Sequence, residues 1–294
     1  MKKLFVVLGL CTALVSCQKE LNIDLGTTTG GGTGTGGTGG TSGSRLVKVV
    51  SVSGSETLTT LYTYDSQNRT QTSTLDGSSG GMILHTYYRY ERDAVGRITR
   101  TVQQATQNGA VGDSVYTNYH YPNATTFEYD YSLGTMSYGG FVQNDSTVYT
   151  FAAGKLTRVS KSLSSPLLGN TVISVMQTDF TNDASGHVTA FTLSSSTVPG
   201  GPLSVVASET FTYGASLDPT WFSSSAAQNY IVNGLPNTAP EAVTKLDVVS
   251  PAQPAANMSI INTYVGIAGG RPSSSTTVTT GAQAGTTNYT YFYN

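Results

Sequence analysis

The chain has 294 residues, with 15 Lys and Arg against 17 Asp and Glu, a formal net charge of −2, and charged residues making up 11% of the total, against about 25% in an ordinary soluble domain. No basic stripe follows from so few cations, so nucleic acid is excluded as an expected partner. Threonine, serine, glycine and 18 tyrosines take the place of the charges, which favours strands with polar, uncharged faces.

At the N-terminus, Lys2-Lys3 precedes an apolar stretch from Leu4 to Val15. It is too short to cross a bilayer as a helix, which takes about 20 residues, and reads as a removable signal over residues 1–16. Leu14-Val15-Ser16-Cys17 resembles the lipobox of bacterial lipoproteins. That resemblance implies lipidation of the Cys17 sulfur, cleavage before it, and a membrane as the partner through the attached acyl chains, two or more of which anchor stably. Gln18 stands where an aspartate would imply retention at an inner membrane, so the resemblance implies an outer-membrane address. Cys11, the second of two cysteines, falls inside the signal, so the mature chain has no thiol for a disulfide or a cysteine metal cluster.

Residues 17–44 form the next unit. From Gly26 to Ser44 only glycine, threonine and serine occur, a composition that buries no apolar surface and reads as a flexible linker. About 27 residues after Cys17 give a typical reach of ~30 Å. No lysine follows the glycines, so a phosphate-binding loop is not expected.

Residues 45–294 read as a single β domain. Tyr62-Thr63-Tyr64-Asp65-Ser66-Gln67-Asn68-Arg69 is echoed by Tyr88-Arg89-Tyr90 with Asp93-Ala94-Val95-Gly96-Arg97-Ile98-Thr99. Further echoes run through Gly154-Lys155-Leu156-Thr157, Asp183-Ala184-Ser185-Gly186-His187-Val188-Thr189 and Gly270-Arg271-Pro272, at multiples of about 30 residues. Aspartate starting the turn and asparagine or glycine tolerating positive φ is hairpin chemistry. Runs such as Ile83 to Tyr90, Ile98 to Gln103 and Val172 to Phe180 read as half-buried strands. The expectation is about fourteen to seventeen strands. The fold class is all-β: an antiparallel β-meander of hairpin repeats, strongly curved or barrel-like, with one short helical insertion.

Tyr-x-Tyr-Asp-x-x-Gly-Arg followed by an aliphatic residue is similar to the YD repeats of Rhs-type proteins. With the lipobox, the chain looks like Bacteroidota lipoproteins built from such repeats. The resemblance implies a β-meander and no activity.

Tyrosines at i and i+2, at 62 and 64, 88 and 90, 119 and 121, 129 and 131, and 289, 291 and 293, place two rings on one strand face. They read first as cross-strand aromatic ladders and second as a platform for sugar rings. His85, His120 and His187 stand alone, without metal-ligand spacing, and His187 takes the solvated turn position of Arg69 and Arg97. No Gly-x-Ser-x-Gly occurs. Glu91 with Asp93, and Glu128 with Asp130, are the candidate acid pairs for glycoside hydrolysis; Asp179 and Asp183 are a weak calcium candidate. No metal or cofactor is implied. Asp113-Ser114-Val115 and Asp145-Ser146-Thr147 resemble O-glycosylation sites of exported Bacteroidota proteins, which implies modification at Ser114 and Ser146.

Asp218-Pro219, Thr220 to Val232 and Gly234 read as a short helix with aspartate as cap, proline in the first turn and glycine past the end. Phe222, Ala226 and Tyr230 would form its apolar stripe. Trp221, Phe222 and Tyr230 are the candidate ligand-binding residues, in an insertion that plugs or lids the sheet. The leading functional reading is a lipid-anchored cell-envelope protein whose non-enzymatic domain binds a glycan or protein or serves structurally. A carbohydrate-active hydrolase and an integral outer-membrane barrel are the alternatives.

Overall fold

The computed structural model describes residues 45–79, 82–138, 141–198, 200–219, 225–266 and 271–293. The signal, Cys17, the linker, Trp221 and Phe222 lie outside the described residues. The strands are β1 (Leu46–Ser53), β2 (Glu56–Tyr64), β3 (Thr70–Ser79), β4 (Met82–Arg92), β5 (Ile98–Gln107), β6 (Ala110–His120), β7 (Tyr131–Tyr138) and β8 (Phe141–Ala152). They continue with β9 (Lys155–Ser165), β10 (Thr171–Asn182), β11 (Val188–Ser196), β12 (Ser204–Leu217), β13 (Glu241–Val249), β14 (Met258–Gly266), β15 (Pro272–Gly281) and β16 (Gly285–Tyr293). Helix α1 (Ala226–Asn233) lies between β12 and β13.

Each strand pairs with its neighbours in sequence, and β1 pairs antiparallel with β16, which closes the sheet into a sixteen-stranded barrel. Closure removes the unpaired edges that a curved meander would leave. Tight turns drive the hairpins: Asn108 and Gly109 (φ 50° and 79°) join β5 to β6, and Ala153 and Gly154 (φ 50° and 76°) join β8 to β9. Positive φ at both central residues matches the right-handed twist of the strands.

Directly paired residues share a sheet face. Tyr62 pairs with Ser73, Ser73 with Tyr88, Tyr88 with Gln103 and Gln103 with Val115, and Tyr62 and Ser73 are buried, so this row faces inward. The alternate residues face outward. Leu61, Ile83, Leu133, Val148 and Ile261 are exposed there, interspersed with exposed Thr63, Thr135, Thr150 and Thr263. Outward ion pairs join Asp76 to His85, Arg158 to Asp179 and Lys245 to Asp247.

The two ends differ. The even-to-odd connections, α1 and the entry of the chain at Arg45 share one end, where Leu46 pairs with Tyr293. Three apolar clusters floor this end: Leu46, Tyr62 and Tyr291; Tyr90, Ile98 and Val232; and a larger one around Leu156, Val188, Phe180, Phe211 and Ala226. The odd-to-even hairpin connections form the opposite mouth.

The helix departs from the expected one at its start. Ser225, in an extended conformation, is the cap and accepts from the Gln228 amide, whereas the Asp218 amide donates to Pro240 at 2.7 Å. Asp218 therefore ties the two sides of the insertion together and does not begin α1. Gly234, in the left-handed region at φ 73°, ends the helix as expected.

Candidate functional site

The repeated turns share one chemistry. Asp93 Oδ1 accepts the amides of Val95 (3.1 Å) and Arg97 (2.9 Å), and Oδ2 accepts Arg97 Nε (2.7 Å). Asp65 does the same with Gln67 and Arg69, and Asp183 with Gly186 and His187. Desolvation acts to raise the Asp65, Asp93 and Asp183 pKa values, but these backbone and side-chain hydrogen bonds outweigh it and hold all three below the ordinary carboxylate value.

Each turn reaches the next. The Arg69 guanidinium lies against Gly96, whose φ of 97° is the left-handed conformation that favours glycine there. Arg97 donates to the Asn123 carbonyl at 2.7 Å and stacks over Tyr121. His187 is not a solvated turn residue: its Nε2 meets Glu241 at 2.9 Å and its ring stacks on Tyr213 at 4.3 Å. The other histidines are paired too, His85 with Asp76 and His120 with Asp130. Cross-strand register, which spacing does not disclose, brings these partners together.

A second device locks seven hairpins at the same end. A side chain at or near the end of the hairpin's second strand donates to the carbonyl of a residue at or near the start of its first strand. Tyr64 reaches Leu46, Arg92 Thr70, Tyr121 Ile98, Asn182 Leu156, Tyr213 Val188, Tyr264 Val243 and Tyr293 Pro272. Helix α1 is fastened across this ring. Gln228 accepts from the Ile98 amide and donates to the Tyr121 hydroxyl, the Tyr129 hydroxyl donates to the Ala227 carbonyl, and Asn229 donates to the Asn237 carbonyl. Asn237 Oδ1 accepts from the Val188 amide at 2.7 Å. Burial of Tyr129 and Tyr149 raises both phenol pKa values, so these rings stay neutral.

Above the floor the lumen becomes polar. Ser132 bonds the Tyr149 hydroxyl and Ser275 the Tyr291 hydroxyl, both at 2.8 Å. Asp145 and Lys161, on inward-facing registers of β8 and β9, form an ion pair at 3.1 Å. Gly134 faces this aspartate, whose carboxylate lies over the space a Cβ would take. Glu209 is 4% exposed, and burial pushes its carboxyl up to about 7. Lys161 and Glu209 carry no motif, and Asp145 only the short Asp-Ser-Thr pattern, which does not tell that closure of the sheet turns it inward.

Of the residues nominated from sequence, Tyr230 sits in the floor, edge-on to Tyr149 and Phe180, as core and not as an open ligand face. Ser146 is exposed on the outward face and Ser114 half-buried. The tyrosine ladders point inward, except that Tyr129 precedes β7 and is buried while Tyr131 is exposed and stacks on His120 at 4.4 Å. That pair is split because the chain is not in strand conformation before Tyr131. The candidate acids do not face one another over a cleft. Glu91 meets Arg89 and Arg100, Asp93 clamps Arg97 and Asp130 meets His120. Asp179 is held by Arg158, and among the described residues no group of three or more His, Cys, Asp or Glu is placed to hold a metal.

No protein-family model and no curated protein matches the sequence. Among solved structures, a porin-like protein from Bacteroides vulgatus is similar at 11% identity and TM-score 0.48, over 86% of this chain and 99% of that one. A porin-like protein from Bacteroides uniformis is similar at 14% identity and TM-score 0.49, over 85% and 96%.

Proposed function

We propose that the protein is a lipid-anchored barrel of the outer membrane that stands in water and serves in binding or as a structural element, without catalysis. The outward face carries this reading. A membrane-spanning strand needs about 9–11 residues at a tilt near 45°. The strands here run from 8 to 14 residues, so a lipid band would wrap most of the wall. Within that length lie Asp76 with His85, Arg158 with Asp179 and Lys245 with Asp247. A basic side chain on a lipid-facing position costs about 2–4 kcal/mol at the midplane, whereas exposed pairs in water are close to neutral. A barrel wetted outside needs a separate attachment, which Cys17 and the linker would supply. The engagement of Glu91, Asp93 and Asp130 in surface ion pairs supports the non-catalytic part.

Closure of an even number of antiparallel strands, each beside its sequence neighbour, supports a second reading as an integral outer-membrane barrel. One experiment separates the two. The wild-type chain is expected to incorporate a palmitate analogue and to fractionate with membranes. A chain with a cleavable non-lipoprotein secretory signal in place of residues 1–17 is expected to incorporate none and to be recovered without detergent. Its retention in membranes until detergent is added would overturn the anchored reading in favour of the integral one.

A further inference from the structure

We propose that the lumen is a blind cup that receives the end of a neutral oligosaccharide through the mouth opposite Arg45; this rests on the barrel standing in water, as proposed above. One end is shut. The three apolar clusters and the fastened helix α1 fill it, and the hairpin locks ring it. Among the described residues the other end carries the odd-to-even connections, two of them with a single 3-10 turn, at Pro166–Leu168 and Pro254–Ala256. Barrels of sixteen to eighteen strands are wide enough to leave an aqueous interior.

Burial follows that geometry. At the floor, Leu46, Ile98, Leu156 and Val188 are fully buried. Nearer the mouth, the inward-facing Thr60, Thr86, Gln103, Thr117, Met176 and Thr277 are only partly buried. Away from β11 and β12, where Leu193, Ala207 and Glu209 stay buried, the inward wall is therefore wetted above the floor.

Its chemistry selects the ligand class. Hydroxyl and amide groups dominate, and an apolar ligand would leave them without partners at about 1–3 kcal/mol each. The Lys161 cation is already matched by Asp145, so the wall offers little to an ionic ligand. Tyr88 and Tyr289 face inward two residues further from the floor than the buried Tyr90 and Tyr291, and are only partly buried. The Tyr88 hydroxyl is buried, so what Tyr88 offers is part of its apolar ring, and Tyr289 adds a second ring, which suits the apolar face of a sugar. Met136, Met176 and Met258 are partly buried on inward registers of three separate strands and supply adaptable apolar contacts.

The methionines also provide the readout. With the mature chain in lipid nanodiscs and its methionine methyls carbon-13 labelled, titration with malto-, cello- and manno-hexaose is expected to shift the Met136, Met176 and Met258 signals with at least one of the three. Hexagalacturonate should leave them in place. Met176→Trp and Thr86→Trp should weaken binding at least about tenfold, and the outward Val148→Trp should leave it unchanged. The inference is overturned if no neutral hexasaccharide binds up to about 10 mM, if binding leaves all three methyls unmoved, or if only the anionic sugar shifts them. Should one tryptophan variant fail to fold, the other and the methyl shifts of the unmutated chain decide. Failure of binding would leave palmitate incorporation and fractionation untouched, so it would count against the cup and not against the anchor.

Discussion

Asp93 concentrates at one residue what the repeat does. It ends β4, satisfies two turn amides and fixes Arg97, whose guanidinium then bridges to the next loop. Asp93→Ala should cost about 1–3 kcal/mol, read as a lowered midpoint in urea. Because the folded pKa values of Asp65, Asp93 and Asp183 lie below the ordinary value of 3.8, their contribution is complete above that value. It is lost as pH falls through the depressed values, so Asp93→Ala should flatten the acid limb of the stability curve. Glu209 has the opposite sign. Its carboxyl is raised by burial from 4.5 to about 7, so stability falls as pH rises through that window, by about 3 kcal/mol at most. Glu209→Gln should raise Tm at pH 8 and leave it nearly unchanged at pH 4.

At the scale of elements, the hairpins were legible because their chemistry is local. Asp, Asn or Gly, and Arg stand within five residues, and all their hydrogen bonds close inside that span or with the next turn. Units without the signature were not legible: β7 follows Tyr129 and β13 opens on Glu241, neither through an Asp-x-x-Gly-Arg turn. The helix cap was misplaced because Asp218-Pro219 satisfies the local rule, while its amide is used in a pairing with Pro240 that only the folded insertion creates. Ser225→Ala should therefore destabilise the fold by about 0.5–2 kcal/mol. Asp218→Ala keeps that amide and should cost less, and thermal melts of the two variants compare them directly.

For the whole molecule, alternation in sequence shows that a strand has two faces but not which one is enclosed. Asp145-Ser146-Thr147 illustrates the limit, since closure sends Asp145 and Thr147 inward and Ser146 outward. The closing contact, Val52 with Asn288 through Leu46 with Tyr293, joins opposite ends of the domain. Pairings this distant in sequence carry the largest loop-closure cost and form slowly. Removing residues 285–294 should leave β1 and β15 as open edges, giving aggregates in size-exclusion chromatography where the intact chain gives a single species. The same contact sets an order of events for an exported chain. β1 is the first of the sixteen strands to be made and its partner β16 the last, so one edge of the growing meander must stay unpaired until β16 has followed. β1 is rich in valine, with Val52 exposed on its outer face, and Lys48 on that same face supplies the charge that discourages a passing chain from docking on the waiting edge.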